Sequence, residues 1–303
     1  MKIAITGATG FVGQAVLEEI EQGMDIARAL TRRDQERRRG VMWVPGSLDD
    51  LASLKELVGG SQAVIHIAGL TNTPNPAEFH TANVEGTERL IAACKSAGVE
   101  RLVFVSSLSA REPKLSAYGA SKFEAEERVK ESGLDWTIVR PPAVYGPHDN
   151  DMFELFRAAE YGVVPLPPRG ATSIIHVKDL ARLLVALCDA GASTRHKTYE
   201  PDDGREGGWS HKELGEAIGR AVGRQSTYAI NLPAEVLRLA ASVDKWIRKD
   251  KAKLTADRVG YMLHPNWVVR SSQAVPKEIW EPQIDAELGL KQTALWYEAE
   301  GWL

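Results

Sequence analysis

The 303-residue sequence has little of what several functional classes require. It holds two cysteines, Cys94 and Cys188, each inside an apolar, helix-like stretch and neither near the other. That argues against a disulfide framework or a cysteine zinc site, and makes a reducing cytoplasm the expected compartment. The seven histidines show no HExxH or clustered spacing, so no metal is assigned. Neither charge is in excess: 37 Lys and Arg stand against 41 Asp and Glu, a net of −4. Nucleic acid and an anionic membrane are therefore not expected as partners. Apolar runs such as Leu183–Cys188 fall far short of the roughly 20 residues that span a bilayer. The opening "MKIAITGATG" reaches a glycine turn too soon to supply a signal-peptide apolar region. Internal repeats and low-complexity tracts are also missing. The composition is that of an ordinary globular protein, 44% hydrophobic and 26% charged. Its length suits one large domain with a smaller appendage.

The first half alternates between short apolar runs and helical spacing. "KIAIT", "DIARAL", "VMWVPG", "AVIHIAG" and "RLVFVSS" read as buried strands, and "DWTIVRPPAVYG" holds a sixth that prolines break. Helical patterns lie between them, in "GFVGQAVLEEIEQG", "SLDDLASLKELVGG", "NVEGTERLIAACKSAG" and the stretch from Ser116 to about Ser132. Strands apolar on both faces, alternating with helices, predict a doubly wound α/β fold with a parallel sheet. Such a sheet binds ligands at the carboxyl ends of its strands. Residues 1–200 form the expected nucleotide-binding domain, with the Pro- and Gly-rich connection near 147–172 contributing to a substrate cleft. Residues 201–303 read as a mainly helical cap with few convincing strands.

"TGATGFVG" places Gly7, Gly10 and Gly13 after a strand and at the opening of a helix. Glycine allows the tight turn and lets the backbone approach a pyrophosphate, while the helix N-terminus offers free N–H groups. An NAD site usually carries an acid at the end of the second strand, on the ribose hydroxyls. Here that strand runs out into Thr31, Arg32 and Arg33, whose guanidinium groups suit a 2′-phosphate. NADP is therefore the expected cofactor, with Asp34 keeping NAD as the alternative.

"LSAYGASKFEAE" sets Tyr118 four residues ahead of Lys122. On a helix such residues share a face, so phenol and ammonium can reach one small volume. A free phenol has a pKa of about 10 and is a poor base near neutrality. A neighbouring cation favours the phenolate and makes acid/base work feasible. The spacing alone also fits two polar residues on an ordinary helix face.

Taken in order, Gly7-x-x-Gly10-x-x-Gly13, Ser106-Ser107 and Tyr118-x-x-x-Lys122 resemble the short-chain dehydrogenase/reductase superfamily. The branch is the extended one, the NAD(P)-dependent epimerase/dehydratase-like proteins. The resemblance runs from residue 2 to about residue 190 and includes "HIAG" (66–69), "NVEGT" (83–87), "RPPAVYGP" (140–147) and "IHVKDLA" (175–181). It implies that Tyr118 exchanges a proton with the substrate oxygen, that Lys122 bonds the nicotinamide ribose and depresses the tyrosine's pKa, and that Ser107 holds the substrate oxygen. Ser106 and Ser109 are the neighbouring candidates for that last role. The implied cofactor contacts are Gly7, Thr9, Gly10, Phe11, Val12 and Gly13, then Arg32, Arg33, Leu48, Ala68, Gly69 and Asn83. Tyr118, Lys122, Pro141 and Val144 complete the set. His66 and His176, inside apolar strand-like segments, read as structural, and the C-terminal tryptophans as packing residues.

Two positions depart from the family pattern. Ser47 stands where an aspartate often recognises adenine, and Thr172 and Ser173 stand where members acting on nucleotide sugars often carry a diphosphate-binding arginine. The expectation is an oxidoreductase that moves a hydride between nicotinamide and an apolar carbonyl or secondary alcohol. Leu237, Leu239, Trp246, Tyr261 and Met262 are the cap residues expected to face the cleft. A nucleotide-sugar epimerase or dehydratase is the first alternative, with Arg169, Arg238 or Arg270 replacing the missing arginine. A non-catalytic NADPH-binding sensor or assembly factor is the second. A small-molecule substrate is the expected partner, and the resemblance leaves room for a homodimer.

Overall fold

The computed structural model describes residues 1–249 and 252–303. Strand β1 (Lys2–Thr6) leads through the glycine turn into α1 (Phe11–Gln22), followed by β2 (Ile26–Thr31), β3 (Val41–Pro45), α2 (Leu51–Val58) and β4 (Ala63–His66). The single turn α3 (Ala77–Phe79) runs through a π-helical segment (His80–Glu85) into α4 (Gly86–Ala97), and β5 (Arg101–Val105), α5 (Ala117–Lys130) and β6 (Asp135–Val139) follow. Next come β7 (Ala143–Tyr145), α6 (Phe153–Glu160), β8 (Val163–Leu166), β9 (Ala171–Thr172), β10 (Ile174–His176), α7 (Val177–Asp189) and β11 (Lys197–Tyr199). The remainder holds β12 (Trp209–Ser210), α8 (His211–Ala221), β13 (Tyr228–Asn231), α9 (Ala234–Arg248), α10 (Ala256–Met262), β14 (Asn266–Trp267) and α11 (Ala286–Ala299).

Seven strands form the central sheet in the order β11-β6-β5-β4-β1-β2-β3, all parallel. Side chains alternate between its two faces, and both faces are apolar. Ile3, Ile5, Ala63, Ile65, Val103 and Val105 pack with α1 and α7 on one side. Ala4, Val64, Leu102 and Phe104 pack with α2, α4 and α5 on the other. The strand order reverses between β1 and β4, where a doubly wound sheet opens its ligand crevice. The glycine turn and the segment after β4 both lie at this point.

The proline break in the sixth strand is a departure from the sheet. After Pro141 and Pro142 the chain forms β7, which pairs with β10 in a separate two-stranded sheet. A proline cannot donate to a ladder, so the central sheet could not keep this segment. The seventh strand, β11, has only three residues, too few for alternation to register in the sequence. The C-terminal third carries more β pairing than its pattern suggested: β12 and β14 flank β9, and β13 pairs with β8.

The chain then returns to the first core. Val275 and Trp280 are buried with α1 and α7, and the Trp280 indole N–H donates to the Asp179 carbonyl at 3.0 Å. Trp296 and Trp302 pack with Tyr297 and Phe153 in the third core, with Phe156, Leu214 and Leu290. No helix among the described residues is long and apolar enough to cross a membrane.

Candidate active site

The glycine turn is shaped by three positions without side chains. Gly7 has φ +76°, and a Cβ there would lie 2.6 Å from the Ala68 nitrogen. A Cβ on Gly13 would come within 2.1 Å of the Gly7 carbonyl oxygen, so the helix can start this close to the strand only with glycine. Gly10 is the N-cap of α1 and supplies no side-chain cap, leaving first-turn N–H groups for an anion. Thr9 and Gly10 are exposed at the turn, while Phe11 and Val12 are half-buried against the core. This cradle fits the pyrophosphate of a dinucleotide.

At the end of β2, the Thr31 hydroxyl donates to the Arg33 carbonyl at 2.6 Å and folds the chain outward. Arg32 and Arg33 are exposed, and their guanidinium groups have no partner among the described residues. Asp34 is exposed beside them. Ser47 is tied to Ser53: its N–H donates to that hydroxyl at 3.3 Å. Leu48 packs against Gly86, where a Cβ would be 2.9 Å from Leu48 Cδ1.

Asn83 joins two walls of the crevice. It sits in the π-helical segment, a widened turn with i→i+5 bonding. Its Oδ1 accepts from the Leu70 N–H at 2.7 Å, while Nδ2 donates to the Leu70 carbonyl at 3.0 Å and to Ser121 Oγ at 2.9 Å. The loop after β4 is thereby fastened to the helix that carries Tyr118 and Lys122. Gly69 is required here, because a Cβ would lie 2.7 Å from Asn83 Oδ1 and 4.0 Å from Lys122 Nζ. His66 is internal, bonded to Thr6 at 2.6 Å and Thr87 at 3.0 Å, and burial pushes its pKa down to about 3. His176 caps α7 by accepting from the Lys178 N–H at 3.2 Å.

Ser107, Tyr118 and Lys122 come together at the carboxyl end of β5. Ser116 starts α5 by accepting from the Gly119 N–H at 2.9 Å, which sets Tyr118 in the first turn. Lys122 is buried and donates to the Val105 carbonyl at 2.7 Å, its ammonium 4.6 Å from the Phe104 ring centroid. Burial lowers its pKa to about 8, against the nearby Glu126 carboxylate, which holds it up. Tyr118 is 9% exposed, between the rings of Phe79 at 5.7 Å and Tyr261 at 6.1 Å. Burial raises its pKa to about 12, while the Ser107 hydroxyl and, more weakly, Arg258 pull it down. The sequence suggested a phenol depressed by its lysine. The cofactor-free protein has the reverse, because desolvation of the phenolate outweighs every nearby cation.

The three serines separate clearly. Ser106 is buried and donates to Glu126 Oε1 at 2.5 Å, so its hydroxyl is occupied in the core. Ser107 is half-buried and shares a 2.7 Å hydrogen bond with the buried Ser109. Pro141 is buried and accepts from the Leu108 N–H at 3.1 Å, and Val144 is half-buried against the core that carries Ile175 and Val177.

A set of charged groups that sequence reasoning missed lies around this site. Glu126 binds the Arg140 guanidinium at 2.8 and 2.6 Å, and Arg140 reaches Glu200 at 3.6 Å. Glu200 in turn pairs with Arg111 at 3.2 Å. From the cap, Asp257 accepts from the Ala117 N–H at 2.5 Å and covers the start of α5. Arg258 pairs with Asp151 at 2.9 Å on the same side. Only folding brings these groups together; the sole local signal is "TADR", a cap-and-acid start for α10.

The cap residues divide. Tyr261 faces Tyr118, Met262 is half-buried, and Leu237 is buried against Ala241 and Val259. Leu239 and Trp246 do not face inward: they are 66% and 81% exposed, because α9 buries only the narrow strip of Leu237 and Ala241. Arg169 and Arg238 are exposed, and Arg238 leans on Glu235 at 3.8 Å. Arg270 lines a cavity of about 270 Å³ with Arg111, Glu112, His264, Asn266, Val268 and Val269.

Comparison with known proteins agrees with this geometry. Residues 3–200 match the model of the NAD dependent epimerase/dehydratase family. The chain is 34% identical to a ceramide reductase of Caulobacter vibrioides, over 99% of this chain and 96% of the relative. It is 29% identical to a 2-alkyl-3-oxoalkanoate reductase of Stenotrophomonas maltophilia, over 96% and 98%. Among solved structures, MoeE5 in complex with UDP-glucose and NAD superposes over 99% of both chains, with a TM-score of 0.73 at 22% identity. A family model covering most of the sheet, a glycine cradle that excludes side chains and a Tyr118–Lys122 helix lead to one assignment: the chain belongs to the NAD-dependent epimerase/dehydratase family, the extended short-chain dehydrogenases/reductases.

Proposed function

We propose that the protein is an NADP-preferring reductase of an apolar, long-chain carbonyl compound, with residues 1–200 holding the cofactor and 201–303 shaping the substrate side. One observation carries this reading: Tyr118 is buried, and its pKa is pushed up to about 12. A phenol so held is protonated at neutral pH. It is equipped to donate to an oxygen that becomes an alcohol, and the phenolate left behind takes the proton back when the reaction runs the other way. When bound, the nicotinamide supplies the hydride. Ser107 and Tyr118 hold the carbonyl oxygen by hydrogen bonds, and Tyr118 passes its proton to that oxygen as negative charge develops. Lys122 steadies the phenolate left behind and binds the nicotinamide ribose. Asn83 keeps the loop after β4 in register with both.

The Caulobacter and Stenotrophomonas relatives, a ceramide reductase and a 2-alkyl-3-oxoalkanoate reductase, support an apolar carbonyl substrate. Arg32 and Arg33, exposed and without partners among the described residues, support a 2′-phosphate. One feature favours nucleotide-sugar conversion instead: the cavity with Arg111 and Arg270 on its wall. Arg111, however, is already engaged by Glu200 and by the carbonyls of Val268 at 2.8 Å and Asn266 at 3.2 Å. Unpaired cations are what a buried diphosphate would need. The test measures NADPH oxidation with long-chain ketones, beside calorimetry of UDP, GDP and dTDP on the NADP-loaded protein. Turnover of a ketone with no nucleotide binding is expected. Micromolar binding of a nucleotide, lost on Arg270→Ala, would replace this reading with the epimerase or dehydratase one.

A further inference from the structure

We propose that α9 is a docking helix for bilayers that carry anionic lipids. Val236, Leu239, Val243, Trp246 and Ile247 recur at three- and four-residue spacing and share one face of the helix. They are 44, 66, 46, 81 and 64% exposed. The helix needs none of them to stay folded onto the protein, since Leu237 and Ala241 anchor it to Val259 from another side. Single exposed apolar side chains are commonplace, whereas a continuous stripe along a whole helix marks a surface that is covered in use.

Charge selects the cover. Residues 234–253 carry six Lys and Arg against three Asp and Glu, in a chain whose net charge is −4. The overall charge, which gave no reason to expect an anionic membrane, conceals this local reversal. The cations gather at the end where the stripe is most exposed: Lys245, Arg248 and Lys249 surround Trp246 and Ile247 in the sequence, and all three are exposed. Arg248 leans on Asp244 at 3.2 Å, while Lys245 and Lys249 have no ion-pair partner among the described residues. An apolar face ending in tryptophan with lysines at its edge is the chemistry of a helix lying in the plane of an anionic interface. Fifteen residues, about 22 Å, suit lying on a bilayer and not crossing it.

The location adds a purpose. Past α9, the Ala252 carbonyl is held by Asn72 at 3.0 Å, and the chain enters α10, whose Asp257 caps the Tyr118 helix and whose Tyr261 packs on Tyr118. A bilayer under α9 would be one short connection from the reacting group. That supply route for a lipid-like substrate rests on the reductase reading above, whereas the docking itself rests on α9 alone.

The test is flotation of the full chain, without cofactor or substrate, on vesicles of phosphatidylcholine alone and of phosphatidylcholine mixed with phosphatidylglycerol. Binding is expected on the mixed vesicles, weakening with added salt. Leu239→Glu/Trp246→Glu should lower the bound fraction about tenfold or more, and Lys245→Gln/Lys249→Gln should weaken both the binding and its salt dependence. All four positions are exposed, so native circular dichroism and unchanged NADPH affinity are expected of both variants. Absence of wild-type binding to the mixed vesicles, or equal binding by the glutamate variant, would overturn the proposal. So would a concentration-dependent dimer that the glutamate variant abolishes without vesicle binding, since a second copy would then cover the face. A protein that floats but reduces no ketone would sink only the reductase reading.

Discussion

Glu126→Gln isolates the charge network behind the reacting groups. Glu126 is fully buried and accepts three short hydrogen bonds, from Ser106 at 2.5 Å and from Arg140 at 2.8 and 2.6 Å. Burial alone would lower the Arg140 pKa, yet the guanidinium is held above its ordinary value by Glu126 and Glu200. Glutamine keeps the volume and one acceptor but turns an amide donor toward Arg140 Nη2. One or two charge-assisted bonds are lost at about 1.5–3 kcal/mol each. Arg140 is left with Glu200, 3.6 Å away, so its charge is only partly orphaned. The expected cost is about 3–5 kcal/mol, as for breaking a buried ion pair from one side. Urea unfolding of the cofactor-free protein measures it. The same substitution removes the carboxylate that supports the Lys122 ammonium, so the Lys122 pKa should fall further below its ordinary value. A variant within about 1 kcal/mol of the parent, with an unmoved alkaline limb of NADPH binding, would refute the network argument.

Three further outcomes are expected. Tyr118→Phe should abolish ketone reduction while leaving NADPH affinity within about threefold, and Lys122→Ala should damage both; steady-state kinetics beside calorimetry separates the two. NADPH binding should weaken as pH rises through about 8, because deprotonation of Lys122 removes the ammonium assigned to the ribose, and a titration flat from pH 7 to about 9.5 would contradict that role. Arg32→Ala/Arg33→Ala should erase a preference for NADPH over NADH of roughly ten- to hundredfold, read from the ratio of dissociation constants.

The parts of the site set by spacing along the chain were legible in the sequence. Gly7, Gly10 and Gly13 act within one turn, and Tyr118 and Lys122 within one helical repeat, so pattern and placement coincide. The parts set by burial were not. A tyrosine near a lysine suggests a lowered pKa, but the desolvation that raises it comes from Phe79 and from Tyr261, which is 143 positions away in the numbering. Ser106 and Ser107 are adjacent and chemically alike; only Glu126, one helix away, distinguishes them. The sequence pattern places Leu239 and Trp246 in the cleft because hydrophobicity records that a side chain avoids water, not which surface relieves it. Asp257 and Arg258 show in the sequence only as the start of α10, since their partners lie across the fold.

The return of the chain to bury Val275 and Trp280 in the core with α1 and α7 has a consequence for synthesis. The core face of α7 is finished by residues 275–284, and the Asp179 carboxylate accepts from the Gln283 N–H at 3.3 Å and the Ile284 N–H at 3.1 Å. A chain emerging from the ribosome carries α1, α7 and every strand of the central sheet long before those residues appear. Until they arrive, an apolar groove stays open on the nascent sheet, where a holdase would bind. Release from such a holdase would wait for residues 275–284, and a fragment ending at residue 200 would carry that groove permanently.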